Sequence, residues 1–267
     1  MKLGVIGCGK MATALVKGAI SSGVVDARDV VGVARSKLSC ERFSEQTGAR
    51  ASVKISDAVE ASEVIIVATK PHDLATALEH SNLSSYPDKL LISVVAGVTV
   101  EKISHLVSNN CRVARAMPNT PSLIGKGATG FCMGQHATDA DRSMVESILR
   151  AVGLAVEVPE RLIDAVTGVS GSGPAYIYLV IEAMADGGVR AGLPREDAIN
   201  LAAQTVSGAA EMVLETGMHP AILKDMVASP GGTTIAGLAA LEEHKVRSAF
   251  IGAVEAAANR ARELGGN

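Results

Sequence analysis

The chain has 267 residues, a formal net charge of −3 and 48% hydrophobic residues. That is room for one large domain or two ordinary ones with a substantial core, and the weakly acidic balance disfavours nucleic acid and membrane surfaces, which select basic faces. Trp is absent and only three Tyr and three Phe occur, so the core has to be aliphatic and a base-stacking surface is disfavoured as well.

The first dozen residues carry the strongest local pattern. Leu3 to Ile6 reads as a buried strand that runs into Gly7-Cys8-Gly9-Lys10-Met11-Ala12, and apolar Ala14, Leu15, Ala19 and Ile20 follow at helical spacing. A G-x-G-x-x-A turn between strand and helix suits a dinucleotide pyrophosphate. Gly7 allows the tight turn, Gly9 lets the backbone approach the phosphates, and small Ala12 permits close packing. Lys10 and Met11 open a helix whose free N–H groups face the anion. Cys8 inside this turn reads as a small tolerated residue, not a nucleophile.

Strand and helix patterns then alternate. Strands are expected over residues 30–34, 50–53, 63–68, 90–95, 112–115, 129–133 and 155–158. Helices are expected over 37–46, 57–61, 73–83, 100–107 and 139–152. The Val-Ile-Ile-Val run at 64–67 suits a strand buried on both faces. Such alternation with short connections implies an α/β fold, a Rossmann-type doubly wound parallel sheet, over residues 1–161. After Leu162 the strand patterns stop. Helices are expected over 176–189, 196–215, 234–243 and 247–264, an all-helical C-terminal domain over residues 162–267. Its Ala-, Gly- and Met-rich helices suggest burial against a second subunit.

Ligands of doubly wound sheets bind at the carboxyl ends of the strands, and that rule selects the loops to read. After the second strand, where an acid would mark NAD, stand Arg35 and Ser36, a planar fork and a hydroxyl suited to the 2′-phosphate of NADP. Thr69, Lys70 and Pro71 follow the Val-Ile-Ile-Val strand, and Lys70 is placed to neutralise phosphate. Ala96 and Gly97 follow the next strand and leave room for a cofactor against the backbone. Met117 and Asn119 lie in a proline-stiffened loop, and the Asn119 amide suits a carboxamide or substrate. Two glycine-rich stretches, 168–176 and 229–234, present hydroxyls beside backbone N–H groups at helix starts. Both suit a small carboxylate, and both also suit ordinary helix caps.

The six histidines are scattered and the four cysteines form no C-x-x-C pair, so no metal site is expected and the thiols suit a reducing, cytoplasmic setting. Met1 lies directly on the first strand, so no targeting peptide is expected. No apolar run approaches about 18 residues, so no membrane span is expected either. The lack of an acid–base dyad favours hydride addition to an already electrophilic group, such as a protonated imine.

At these residues the sequence resembles the pyrroline-5-carboxylate reductases. The motifs that carry the likeness are residues 7–12, 67–72, 95–99 and 117–121 in the first half, and 164–176, 185–189 and 223–234 in the second. The resemblance implies reduction of 1-pyrroline-5-carboxylate to L-proline with NAD(P)H, in an interlocked homodimer often built into larger, decameric rings. It also implies that Ser229, Gly231, Gly232, Thr233 and Thr234 hold the substrate carboxylate, with the catalytic Thr234 hydroxyl toward the ring nitrogen. Two alternatives share the layout: a β-hydroxyacid dehydrogenase, which needs a lysine near the start of the helical region, and a non-enzymatic NADP(H)-sensing regulator.

Overall fold

Each short apolar run of the first half forms a strand because it can be buried on both faces. The strands are β1 (Leu3–Ile6), β2 (Val30–Val33), β3 (Arg50–Ser52), β4 (Val64–Val67), β5 (Leu90–Ser93), β6 (Arg112–Met117), β7 (Gly127–Met133) and β8 (Gly153–Glu157). Between them lie α1 (Lys10–Ser21), α2 (Lys37–Thr47), α3 (Ile55–Ala61), α4 (Leu74–Ser81), α5 (Val100–Val107) and α6 (Asp139–Arg150). This computed structural model describes residues 1–108 and 110–266.

The sheet order is β3-β2-β1-β4-β5-β6-β7-β8. From β3 to β6 all pairs are parallel, as expected, but β7 runs antiparallel to β6 and carries β8 with it. The reason is the connection. Residues 118–126 are too few for a crossover helix, and a strand that cannot cross over must turn back.

The two faces of the sheet are sorted by the period of two. Leu3, Val5, Ile66 and Ile92 pack with Leu15, Val16, Ile148 and Leu149 of α1 and α6. Ile6, Ile65, Val67 and Leu91 pack with Leu74, Leu78 and Ile103 of α4 and α5. Each such fully buried side chain stabilises the fold by roughly 1.5–3 kcal/mol. This aliphatic double core holds the carboxyl ends of β1, β2, β4, β5 and β6 in one row.

The second half is helical: α7 (Ile163–Val166), α8 (Gly173–Arg190), α9 (Arg195–Thr216), α10 (Pro220–Met226), α11 (Thr233–Glu243) and α12 (Val246–Gly265). α10 escapes the sequence pattern because one apolar-faced turn or two shows no period. The stretch 168–176 differs from its expected form. It is no open cap: a π-helical turn, Thr167–Gly171, joins α7 to Ser172 and α8. The Thr167 and Ser170 hydroxyls donate back to the carbonyls of Ile163 (2.9 Å) and Val166 (3.0 Å), so they satisfy the helix instead of standing ready for a ligand.

The chain divides into two compact units, residues 1–172 with 255–266, and residues 173–254. Within the first unit the end of α12 closes on the loop after β5. Gly97 has φ +72°, and a Cβ there would lie 3.4 Å from the Leu264 carbonyl carbon. In the second unit α8 and α9 approach closely, and a Cβ on Gly188 would lie 3.2 Å from that of Ala198. Among the described residues no helix is long and apolar enough to cross a membrane.

Candidate active site

The glycine turn sits at the carboxyl end of β1, in the middle of the row. Gly7 has φ +100°, and a Cβ there would lie 2.8 Å from the Ala68 carbonyl oxygen, so both its conformation and its surroundings exclude a side chain. Its N–H donates to the Val33 carbonyl (2.9 Å), which ties the turn to the end of β2. Gly9 is different: it is extended, caps α1 without any side-chain bond, and a Cβ there would meet nothing within 4 Å. The first N–H groups of α1, from Lys10 and Met11 onward, have no intrahelical acceptor. An uncapped helix start opening on free space fits a pyrophosphate. Ala12 is fully buried, as the close packing of helix on sheet requires.

The neighbouring loops surround this opening. Thr69, whose backbone N would lie 3.0 Å from a Gly7 Cβ, has its Oγ1 buried with no hydrogen-bond partner. A buried hydroxyl without a partner is costly, and a ligand polar group beside the glycine turn would satisfy it. Lys70 is exposed and precedes a short 3-10 turn at Pro71–Asp73. Ser36 caps α2, its hydroxyl accepting from the Ser39 N–H at 3.2 Å. Arg35 is 85% exposed and pairs with Asp73 (Nη1 to Oδ1, 3.1 Å). Sequence reasoning had no signal for that partner, which stands 38 positions away.

At the end of β6 the loop is held from several sides. The Asn119 amide is buried and committed on both ends. Its Nδ2 donates to the Ser170 carbonyl (3.0 Å) and its Oδ1 accepts from the Ala128 N–H (2.9 Å). In the structure it clamps the π-helical turn to β7, so the amide is already engaged within the chain. The side chain of Met117 reaches Gly171 in the same turn. Below it Arg115, 6% exposed, reaches Glu160 (3.2 Å) and Asp164 (3.5 Å), and Glu160 also accepts from the Val100 N–H (2.7 Å). These carboxylates were not singled out from sequence, since nothing local marks them. Ala96 and Gly97 line the adjacent loop, closed on its far side by α12.

Segment 229–234 lies in the second unit. Gly231 has φ +65°, a left-handed turn that suits glycine, and Gly232 caps α11 without a side-chain bond. The Gly232 N–H already donates to the Ser229 carbonyl (3.1 Å). The N–H groups of Thr233 and Thr234, in the first turn of α11, have no intrahelical acceptor. Thr234 is partly buried, Thr233 exposed.

Cys8 behaves as a turn residue. Burial, with the neighbouring Cys40 adding to it, pushes its thiol up to about 12, so it is neutral and unreactive near pH 7. Among the described residues no cluster of His, Cys, Asp or Glu is arranged to hold a metal.

An open glycine turn at the centre of a doubly wound sheet defines a dinucleotide-binding protein, and the comparison with known proteins adds the activity class. Residues 2–97 match the family model described as "NADP oxidoreductase coenzyme F420-dependent". The protein is an NAD(P)-dependent oxidoreductase. Residues 160–264 match the model described as "Pyrroline-5-carboxylate reductase dimerisation". A pyrroline-5-carboxylate reductase of Methanosarcina acetivorans is 45% identical over 264 residues, 99% of this chain and 98% of that one. The solved structure of a pyrroline-5-carboxylate reductase from Coxiella burnetii superposes with TM-score 0.92 at 37% identity, covering 98% of both chains. That of the Plasmodium falciparum pyrroline carboxylate reductase, with NADP bound, gives 0.88 at 32% identity, covering 99% of this chain and 98% of that one. The chain belongs to the pyrroline-5-carboxylate reductase family.

Proposed function

We propose that this chain reduces 1-pyrroline-5-carboxylate to L-proline, the last step of proline biosynthesis, with NADPH preferred over NADH, and that residues 229–234 hold the substrate. The observation that carries the reading is that segment: a left-handed glycine, an uncapped helix start and three hydroxyls within six residues. The Ser229 hydroxyl and the N–H groups of Gly231, Thr233 and Thr234 bind the carboxylate of the imine. The Thr234 hydroxyl orients the ring nitrogen, which is already protonated and needs no strong acid from the protein. Gly7, Gly9, Lys10 and Met11 take the pyrophosphate, with Thr69, Lys70 and Pro71 beside it. Arg35 and Ser36 take the 2′-phosphate. Ala96, Gly97, Met117 and Asn119 form the nicotinamide end, Asn119 through the turn it clamps. Bound NADPH supplies the hydride at its nicotinamide C4. The protein's part is positional: it holds the acceptor carbon at near-attack distance and keeps water out.

The first domain, residues 1–161 in this reading, binds cofactor, and the helical remainder binds substrate and dimerises. Assembly of the homodimer into a decameric ring belongs to the same reading. The four free cysteines support a reducing, cytoplasmic setting. The hydroxyacid-dehydrogenase alternative lacks its lysine between Ser170 and Tyr176. Purified protein should oxidise NADPH only when pyrroline-5-carboxylate is added and should yield proline. Turnover of a 3-hydroxyacid instead, or tight NADPH binding with no turnover of the imine, would overturn the proposal.

A further inference from the structure

We propose that Asp73 sets the cofactor preference: it holds the Arg35 guanidinium and thereby weakens recognition of the 2′-phosphate, leaving a site that accepts both nicotinamide cofactors. The inference rests on the reading of Arg35 as the 2′-phosphate partner. Arg35 follows β2 and Asp73 follows β4, and β1 with its glycine turn lies between those strands. The pair therefore links the two loops that flank the cofactor opening. Asp73 occupies the N-cap position of α4, where an aspartate ordinarily accepts from the helix N–H groups, yet it makes no such bond. Its two oxygens are turned elsewhere. Oδ1 takes Arg35 at 3.1 Å, and Oδ2 lies 3.6 Å from Nε2 of His72. The carboxylate is mostly buried (26% exposed), whereas Arg35 is 85% exposed. The acid is the fixed member and the guanidinium the movable one.

Magnitudes decide what happens when a cofactor arrives. An exposed ion pair of this kind is worth about 0–1 kcal/mol, whereas a forked Arg–phosphate pair is among the stronger charge-assisted bonds. A 2′-phosphate therefore takes Arg35, but against one opposing effect, the loss of its pair with Asp73. With NADH that effect does not arise, since Arg35 stays on Asp73 and no bare guanidinium is left over the ribose. Asp73 acts through Arg35 and is a positioning residue, not a ligand.

The test uses adenosine 2′,5′-bisphosphate and 5′-AMP, which differ only in the 2′-phosphate, titrated calorimetrically into the intact oligomer. Asp73→Asn keeps the shape and the capping ability of the side chain and removes its charge. It should tighten the bisphosphate about three- to fivefold and leave 5′-AMP unchanged, the scale of one exposed pair. The NADPH-to-NADH ratio of KM should move the same way. In an Arg35→Ala background the tightening should shrink below twofold. If Asp73→Asn leaves the bisphosphate unchanged or weakens it, Asp73 does not oppose the phosphate and the proposal is overturned, while a selective loss of bisphosphate in Arg35→Ala keeps the Arg35 assignment standing. If Arg35→Ala weakens both nucleotides equally, the Arg35 assignment itself fails and takes the proposal with it.

Discussion

Thr234 is the residue on which the chemistry of the proposed site turns. Replacing it by Ala removes one hydroxyl from the first turn of α11 and nothing from the glycine turn of the first unit. Single-turnover hydride transfer should fall about tenfold or more, the scale of losing one hydroxyl that accepts from the charged ring N–H, with NADPH affinity unchanged. Equal hydride-transfer rates in variant and parent would remove Thr234 from its role. The buried thiols make a second prediction. Burial pushes Cys8 and Cys132 up to about 12 and Cys111 up to about 11, all from an ordinary 9. Between those values the folded chain keeps protons that the unfolded chain releases, so raising pH favours unfolding. Thermal stability should be unaffected by these groups below pH 9 and fall steadily above it, and Cys132→Ser should flatten that decline in a melting series. Residues 7–12 were readable from sequence because strand, turn and helix are contiguous there. Asp73 was not, because its meaning comes from Arg35 across two loops.

The π-helical turn Thr167–Gly171 shows what an element adds. From sequence its glycines and hydroxyls resemble an anion cap. In three dimensions the hydroxyls are spent on helix carbonyls, and Asn119 and Met117 hold the turn against the ends of β6 and β7. Such turns are frequent at functional sites, and this one lies over the end of β6, where the proposed site puts the nicotinamide. Asn119→Asp keeps the acceptor for the Ala128 N–H and replaces the donor to Ser170 by a repelling oxygen. It should cost about 1–3 kcal/mol, the penalty of an unsatisfied buried carbonyl, and lower kcat more than it raises KM for NADPH. Differential scanning fluorimetry and steady-state kinetics check both halves. The parallel strands were legible because Val64–Val67 is a continuous apolar run and Leu90–Ser93 is apolar up to Ile92. The reversal at β7 was not, since it depends on the length of loop 118–126 more than on its residues.

At the scale of the whole molecule the two units differ in how they are stabilised. The first has an aliphatic core on both sheet faces. In the second, residues 173–254, the buried hydrophobic residues among those described are Ala185, Ala198 and Ala202, while Leu179, Leu214, Met226 and Val227 stand exposed. Three methyl groups do not offset backbone ordering at about 1–2 kcal/mol per residue. Most of this unit's apolar surface has to be covered by another chain, in keeping with the dimerisation family it matches. Leu179→Glu should shift the protein to smaller species in sedimentation velocity and remove imine reduction while nucleotide binding survives. An unchanged oligomer would show that this helix face is not the interface. The end of α12 carries a practical corollary. A gene fragment that stops at residue 172 omits residues 255–266, which belong to the same unit and wall the loop at Gly97. The first unit is discontinuous in the reading frame, so excising it means splicing the last helix's end back on.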